Sequence, residues 1–172
     1  LLNFTRKSND GVSKPIYPWI NINKSIFNHS NTVTERITMK LLTAGLVVTK
    51  NNQLLLAYSN NKNAWYLPGG KIDKGETARE ALIREIREEL NLDLQPDKIE
   101  NYKHISAPAY GEIPELTMEQ DTFRYHLTEE IQPSHEITAV KYFDMEMYKQ
   151  EPAQVPGVLK IFELLKEDGL IL

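Results

Sequence analysis

The sequence predicts an α/β fold (α+β) in which helices cover a mixed β-sheet. Short apolar segments with partial alternation, typical of strands, are interleaved along the chain with two amphipathic segments, typical of helices. A turn signal between the first two strand segments indicates a hairpin, so at least one pair of strands should be antiparallel. Interleaved elements that include hairpins favour a mixed sheet covered by helices. At 172 residues, the chain is most simply one domain.

Turn and breaker residues separate the predicted strands. Asn51-Asn52 lies between the first two, and Pro68-Gly69-Gly70 follows the short aromatic segment Trp65-Tyr66-Leu67. We expect strands at Leu41–Thr49, Gln53–Tyr58, Glu100–Ser106, Asp121–Leu127 and Thr138–Phe143.

One helix is specified locally at both ends, from about Ala78 to Leu90. Thr77 and Glu80 have the spacing of a capping box, with Thr77 at the N-cap and Glu80 at N3. Asn91 suits the left-handed position that ends a helix, because asparagine tolerates that conformation better than most residues. A second amphipathic helix is expected at Val158–Lys166, with its apolar side in the core.

The composition narrows the classes of function. A net charge of −4 gives no broad attraction for nucleic acid or for an anionic membrane surface. The absence of cysteine excludes disulfides, thiolate metal sites and cysteine nucleophiles. No apolar run approaches the roughly 20 residues that span a membrane, and no signal segment opens the chain. We therefore expect a cytoplasmic protein without nucleic-acid or membrane partners.

The composition also changes near Met39. Residues 1–38 are rich in Asn, Ser, Thr and Lys, and Pro15 and Pro18 interrupt regular structure, whereas the alternating pattern begins directly after Met39. We expect residues 1–38 to form a polar N-terminal extension that packs on the core or on a partner subunit, as in a homodimer. Residues 39–172 are expected to form the self-sufficient domain.

A cluster of carboxylates is the candidate site for metal binding and catalysis. Glu85, Glu88 and Glu89 project from one side of the first helix as near neighbours, where their like charges repel. A hard divalent cation would turn that repulsion into binding, because Mg²⁺ takes carboxylate oxygens and bridges to phosphate. The alternative is a solvated acidic face, which is common on charged helices.

The residues around the cluster resemble a known signature. Gly70-x5-Glu76-x7-Arg84-Glu85-Ile86-x-Glu88-Glu89-x-Asn91-Leu92 is similar to the Nudix box of the Nudix hydrolases. At a frequency of about 7% for each residue, six such identities arise by chance roughly once in ten million windows. The resemblance in layout extends over about residues 40–168. The family normally has glycine where this chain has Asn91.

The resemblance implies a Nudix-type α/β/α sandwich and a Mg²⁺-dependent hydrolase, with Mn²⁺ as an alternative cation. Such enzymes cleave a diphosphate linkage in a nucleoside diphosphate derivative by attack of water on phosphorus. The resemblance assigns metal ligation to Glu85, Glu88, Glu89 and the backbone carbonyl of Gly70.

Two further box residues receive roles from the same resemblance. Arg84 is expected to pair with a box glutamate and orient it, and Glu76 to hold the loop against the helix.

The general base is left open by the sequence. Glu88 or Glu89 can serve if it lies beside the attacking water. A later loop carboxylate is the other alternative, and we favour Glu119 over Glu112 and Glu115. Each of these three is otherwise an exposed loop residue.

The substrate is also left open. A small Nudix domain without an added recognition module most resembles the (deoxy)nucleoside triphosphate pyrophosphohydrolases. Pro108 and Tyr110, near a position that distinguishes subgroups of the family, suggest ADP-ribose and dinucleoside polyphosphates equally; a nucleotide sugar is a further alternative. A non-catalytic nucleotide-sensing module is the rival from another class, although the complete set of glutamates argues against it. Several aromatic residues are candidates for base stacking, although most are expected in the core: Tyr58, Trp65, Tyr66, Tyr110, Phe123 and Tyr125.

Overall fold

The computed structural model describes the backbone of residues 5–7, 13–15, 20–29, 32–113 and 115–172, and the side chains of residues 39–113 and 115–172. The helices are α1 (Ala78–Leu90), α2 (Met145–Lys149) and α3 (Pro156–Glu167), with a 3-10 turn at Pro96–Lys98. The strands are β1 (Thr5–Lys7), β2 (Ser13–Pro15), β3 (Ile20–His29), β4 (Thr32–Val47), β5 (Thr49–Lys50), β6 (Gln53–Ser59), β7 (Ala64–Tyr66), β8 (Gly69–Lys71), β9 (Glu100–Pro108), β10 (Leu116–Arg124) and β11 (Ile137–Phe143).

Two sheets form the centre of the domain. The first has the order β3-β4-β10-β9, with β8 paired to β4, and its β4–β10 pair is parallel while its other pairs are antiparallel. The second is antiparallel and has the order β11-β6-β5, with β7 paired to β6. A separate antiparallel pair joins β1 and β2. The predicted mixed sheet is therefore confirmed.

Helices cover the sheets from both sides. Leu82, Ile86 and Leu90 of α1 are fully buried in one cluster with residues of β4 and β6. Phe162 and Leu165 of α3 are fully buried in a second cluster with other residues of the same strands. Removing a large apolar side chain of this kind from water contributes about 1.5–3 kcal/mol. The layers give the α/β/α arrangement that the resemblance to the Nudix hydrolases implies.

The predicted bounds of α1 are confirmed at both ends. The Thr77 hydroxyl accepts a hydrogen bond from the Glu80 N–H at 3.3 Å, and the Glu80 carboxylate accepts one from the Thr77 N–H at 2.8 Å. Asn91 has the left-handed conformation, with φ of 53°. Its side-chain amide also donates to the Gln132 carbonyl at 2.7 Å, a contact that glycine lacks.

Other elements differ from the predictions. β10 begins at Leu116 rather than at Asp121, and β3 and α2 have no counterpart among the predicted elements. The expected turn at Gly69-Gly70 includes the short strand β8, which pairs with Ala44 and Gly45 of β4. A Cβ on Gly69 would lie 2.3 Å from the Ala44 carbonyl oxygen, so the pairing depends on glycine.

The backbone crosses Met39 within β4. β3 pairs with this strand as far as Leu41, and β8 pairs with the same edge of the strand beginning at Thr43. The domain boundary at Met39 stays a prediction. In the described ranges, no helix combines the length and the apolar composition that a membrane span requires.

A protein that starts at Met39 should fold on its own, because β8 and β10 still pair with β4 and the two buried clusters lie within residues 39–172. We expect a single cooperative transition when urea unfolding is followed by circular dichroism, with the 172-residue chain as the control. An insoluble product, or a gradual loss of signal without a transition, would show that residues 1–38 are part of the folding unit.

Candidate active site

Arg84 joins the loop that precedes α1 to the helix itself. Its Nε and Nη2 donate to the two carboxylate oxygens of Glu76, each at 2.9 Å, and Nη2 also donates to the Lys71 carbonyl at 3.0 Å. Its Nη1 donates to Glu85 at 2.7 Å, whereas the nearest Glu88 oxygen lies 3.9 Å away. The bond to Glu76 raises the pKa of Arg84, and in turn the Arg84 guanidinium lowers the pKa of Glu76.

Gly70 and Glu85 are in direct contact. A Cβ on Gly70 would lie 2.4 Å from the carboxyl carbon of Glu85, so a larger residue would displace the carboxylate. Burial raises the pKa of Glu85, an effect that the hydrogen bond from Arg84 opposes. Glycine at this position therefore lets a helix carboxylate lie on the backbone of β8.

The other two glutamates of the cluster differ in exposure. Glu89 is only 7% exposed and accepts a hydrogen bond from the Gly69 N–H at 2.9 Å. Burial raises its pKa to about 8, and the charges of Glu85, Glu136 and Glu88 add to the rise, while the Gly69 bond opposes it. The Glu88 side chain is 52% exposed. The site therefore has one carboxyl held inside the protein and one that reaches solvent.

These residues fit a hard divalent cation. The donor atoms are all oxygens, and a cation would favour the charged form of Glu89 that burial disfavours. Gly70 leaves the space that such a contact needs beside Glu85. Among the described residues, no three acidic or histidine side chains already stand in metal-binding geometry. Glu85, one of the expected ligands, is instead paired with Arg84 at 2.7 Å.

A cavity of about 290 Å³ opens beside the glutamates. Gly69, Gly70 and Glu89 line it together with residues of β4, β10 and the start of α3, and further lining residues come from β6, β7, the loops around Lys62 and Glu112, and the start of β11. The lining is mostly apolar. This volume is at the lower end for small-molecule sites, about 300–1,000 Å³.

The candidate bases outside the box lie in different places. Glu119 bonds Lys40 at 2.8 Å and His104 at 2.9 Å, and it does not line the cavity. Its neighbours Met118 and Gln120 do line it, because successive side chains of a strand point to opposite faces. Of the other two, Glu112 lies at the cavity paired with Lys62, and Glu115 is exposed.

Sequence reasoning missed the loop before β11. Glu136 lines the cavity, and its charge contributes to the raised pKa values of Glu85 and Glu89. Ser134 donates its hydroxyl to the Glu88 carbonyl, and His135 Nδ1 lies 2.8 Å from the same oxygen. No spacing in the sequence links this loop to α1, so only the fold reveals the contact.

Comparison with known proteins finds related sequences and related folds. A family model for the NUDIX domain matches residues 39–165. An 8-oxo-dGTP diphosphatase of Proteus vulgaris is 35% identical over 57 residues, which are 31% of this chain and 51% of that protein. An RNA pyrophosphohydrolase of Marinomonas sp. (strain MWYL1) is 42% identical over 55 residues, 32% of this chain and 33% of that protein. The matches thus span about a third to a half of these curated relatives.

The fold is shared with solved structures. The crystal structure of the MutT protein from Methanosarcina mazei Go1 superimposes with a TM-score of 0.60 at 17% identity, over 76% of this chain and 95% of that one. At this identity the likeness concerns the fold alone. The match to the family model, in contrast, includes the loop from Gly69, the whole of α1 and every residue of the two buried clusters except Ile171. The chain belongs to the Nudix hydrolase family.

Proposed function

We propose that this protein is a Mg²⁺-dependent pyrophosphohydrolase that cleaves a diphosphate linkage in a (deoxy)nucleoside triphosphate. The observation that supports this most directly is the contact between Gly70 and Glu85, next to the buried Glu89 and the open cavity. Oxygen ligands and space for a substrate are then found at one place. Mn²⁺ is the alternative cation.

The residues of the site have different proposed roles. Glu85, Glu88, Glu89 and the Gly70 carbonyl would hold the metal ion, which would neutralise charge on phosphate oxygens and lower the pKa of bound water. Arg84 holds Glu85 in place. Glu76 fixes Arg84 in turn, through two hydrogen bonds of 2.9 Å.

Glu88 is the general base in this proposal. Its carboxylate is the one that solvent reaches most easily, and the bonds from Ser134 and His135 to its carbonyl anchor its backbone. A base must lie within hydrogen-bond reach of the attacking water. Glu119 stays a prediction, but its bonds to Lys40 and His104 do not support that role.

The substrate class rests on weaker support. The name of the Proteus vulgaris relative favours a nucleoside triphosphate, and the name of the Marinomonas relative gives RNA as a second candidate. The net charge of −4 favours the small molecule over RNA. ADP-ribose, nucleotide sugars and dinucleoside polyphosphates remain alternatives. The cytoplasmic location and a homodimer through residues 1–38 stay predictions.

A substrate panel separates these candidates. Nucleoside triphosphates, ADP-ribose, a nucleotide sugar, a dinucleoside polyphosphate and triphosphorylated RNA are incubated with Mg²⁺, and released pyrophosphate and phosphate are measured. We expect the highest kcat/KM for a nucleoside triphosphate. Binding of nucleotides without any release would instead indicate the sensing module.

Glu88→Gln should lower kcat about 100-fold or more, since general-base catalysis contributes roughly 10²–10⁴. Its urea unfolding midpoint should match that of the unaltered protein, because the side chain is half exposed. Glu163→Gln, on the exposed side of α3, is the matched control and should keep full activity. Normal turnover by the Glu88 variant would contradict the assignment.

Arg84→Gln should destabilise the protein by about 1–3 kcal/mol, because Glu76 and Glu85 lose their shared partner. Arg87→Gln is the matched control on the same helix. The ion pair of Arg87 with Asp93 is exposed, and such pairs contribute about 0–1 kcal/mol. Urea unfolding of both variants measures the difference. Equal stabilities would show that Arg84 does not hold the loop to the helix.

A further inference from the structure

Two neighbouring strands, β4 and β10, form part of the cavity wall. Thr43 of β4 and Gln120 of β10 are direct partners in the parallel ladder, and both line the cavity. On its other edge, Thr43 is the partner of Lys71 in β8, the strand that contains Gly70. Thr43 therefore lies one strand, and Gln120 two strands, from the strand that contains Gly70.

The Thr43 hydroxyl is buried without a hydrogen-bond partner among the described residues. The residue as a whole is only 7% exposed. Buried polar side chains are normally paired, and an unpaired one is destabilising. A hydroxyl in this situation, at the wall of a cavity, points to a ligand that supplies the missing partner.

Gln120 offers a second unpaired group in the same place. It is 9% exposed, and its amide makes no hydrogen bond to the side chains and backbone that the structure describes. The amide lies against Gly45, where a Cβ would be 2.9 Å from both the amide carbon and Nε2. Because a larger residue at position 45 would push the amide away, glycine keeps a donor and an acceptor beside Thr43.

The remaining lining limits what can bind. Leu41, Leu67 and Met118 are apolar, and Tyr66 and Tyr110 stand edge to face with their rings 6.2 Å apart. A sugar needs a partner for each of several hydroxyl groups, whereas most of the lining surface is apolar. A flat heteroaromatic ring buries apolar faces and presents donors and acceptors only at its edge, which matches the lining.

We propose that this part of the cavity binds the base of the nucleotide, and that Thr43 and Gln120 select the base through hydrogen bonds to its edge. The proposal rests on the proposed function and narrows it to substrates with one readable base. The phosphates then extend past Gly70 toward Glu85, Glu88 and Glu89.

The test is binding by the intact protein, measured by calorimetry in Mg²⁺. The probes are the common nucleoside 5′-monophosphates and ribose 5-phosphate, which lacks a base. Thr43→Val and Gln120→Met each remove hydrogen-bonding atoms at nearly constant volume. Each variant should bind the preferred monophosphate at least about tenfold more weakly, with the affinity for ribose 5-phosphate unchanged within about twofold.

Two controls separate selection from folding. Thr43→Ser keeps the hydroxyl and should restore the binding, and Thr49→Val, outside the cavity, should change nothing. Thr43→Val should also unfold at the same or a higher urea concentration than the unaltered protein, because it removes an unpaired buried hydroxyl. Variants that bind the monophosphate normally, or that lose monophosphate and ribose 5-phosphate equally, would overturn the proposal.

Turnover distinguishes this inference from the proposed function. Base-dependent binding without hydrolysis of any triphosphate would support the base site and contradict the proposed enzyme activity. Hydrolysis of ribose 5-triphosphate with the same kcat/KM as a nucleoside triphosphate would support the enzyme activity and contradict the base site.

Discussion

The two-pronged hydrogen bond between Arg84 and Glu76 is the interaction on which the site depends. It fixes the loop that contains Gly69 and Gly70 against α1, and it leaves a third nitrogen of the guanidinium for Glu85. The planar guanidinium suits this task, because its donors lie in a fixed geometry that matches a carboxylate. Without Arg84, Glu76 of the loop and Glu85 of the helix would lose the cation that they share.

Burial of Glu89 shows how stability and function compete within the same helix. The residue lies on the border between the core side of α1 and the acidic side, so the fold that buries Leu82 and Ile86 also buries a carboxyl group. A folding argument alone would place an apolar residue there. The Gly69 N–H compensates only in part, as the raised pKa shows. The unpaired Thr43 hydroxyl is a second local cost of this kind.

The parts of the structure that the sequence predicts well are those with local causes. The capping box, Asn91 and the apolar spacing lie within a short stretch, and they predict the bounds of α1 and the side from which the glutamates project. The strand character of β8 was not predicted, because it depends on pairing with Ala44 and Gly45. The surroundings of Glu119 and the approach of Glu136 depend in the same way on how distant segments pack. A single sequence has no local signal for such contacts.

The parallel pairing of β4 with β10 has a consequence for the order in which the site can form. The Arg84 contacts join residues that are close along the chain, whereas Thr43 and Gln120 meet only after the intervening strands and α1 have been made. Closing a long stretch of chain costs more entropy than closing a short one, and contacts between distant segments slow folding. We therefore expect α1 and the loop before it to form early during synthesis. The cavity wall that faces them is completed only when the later strand arrives.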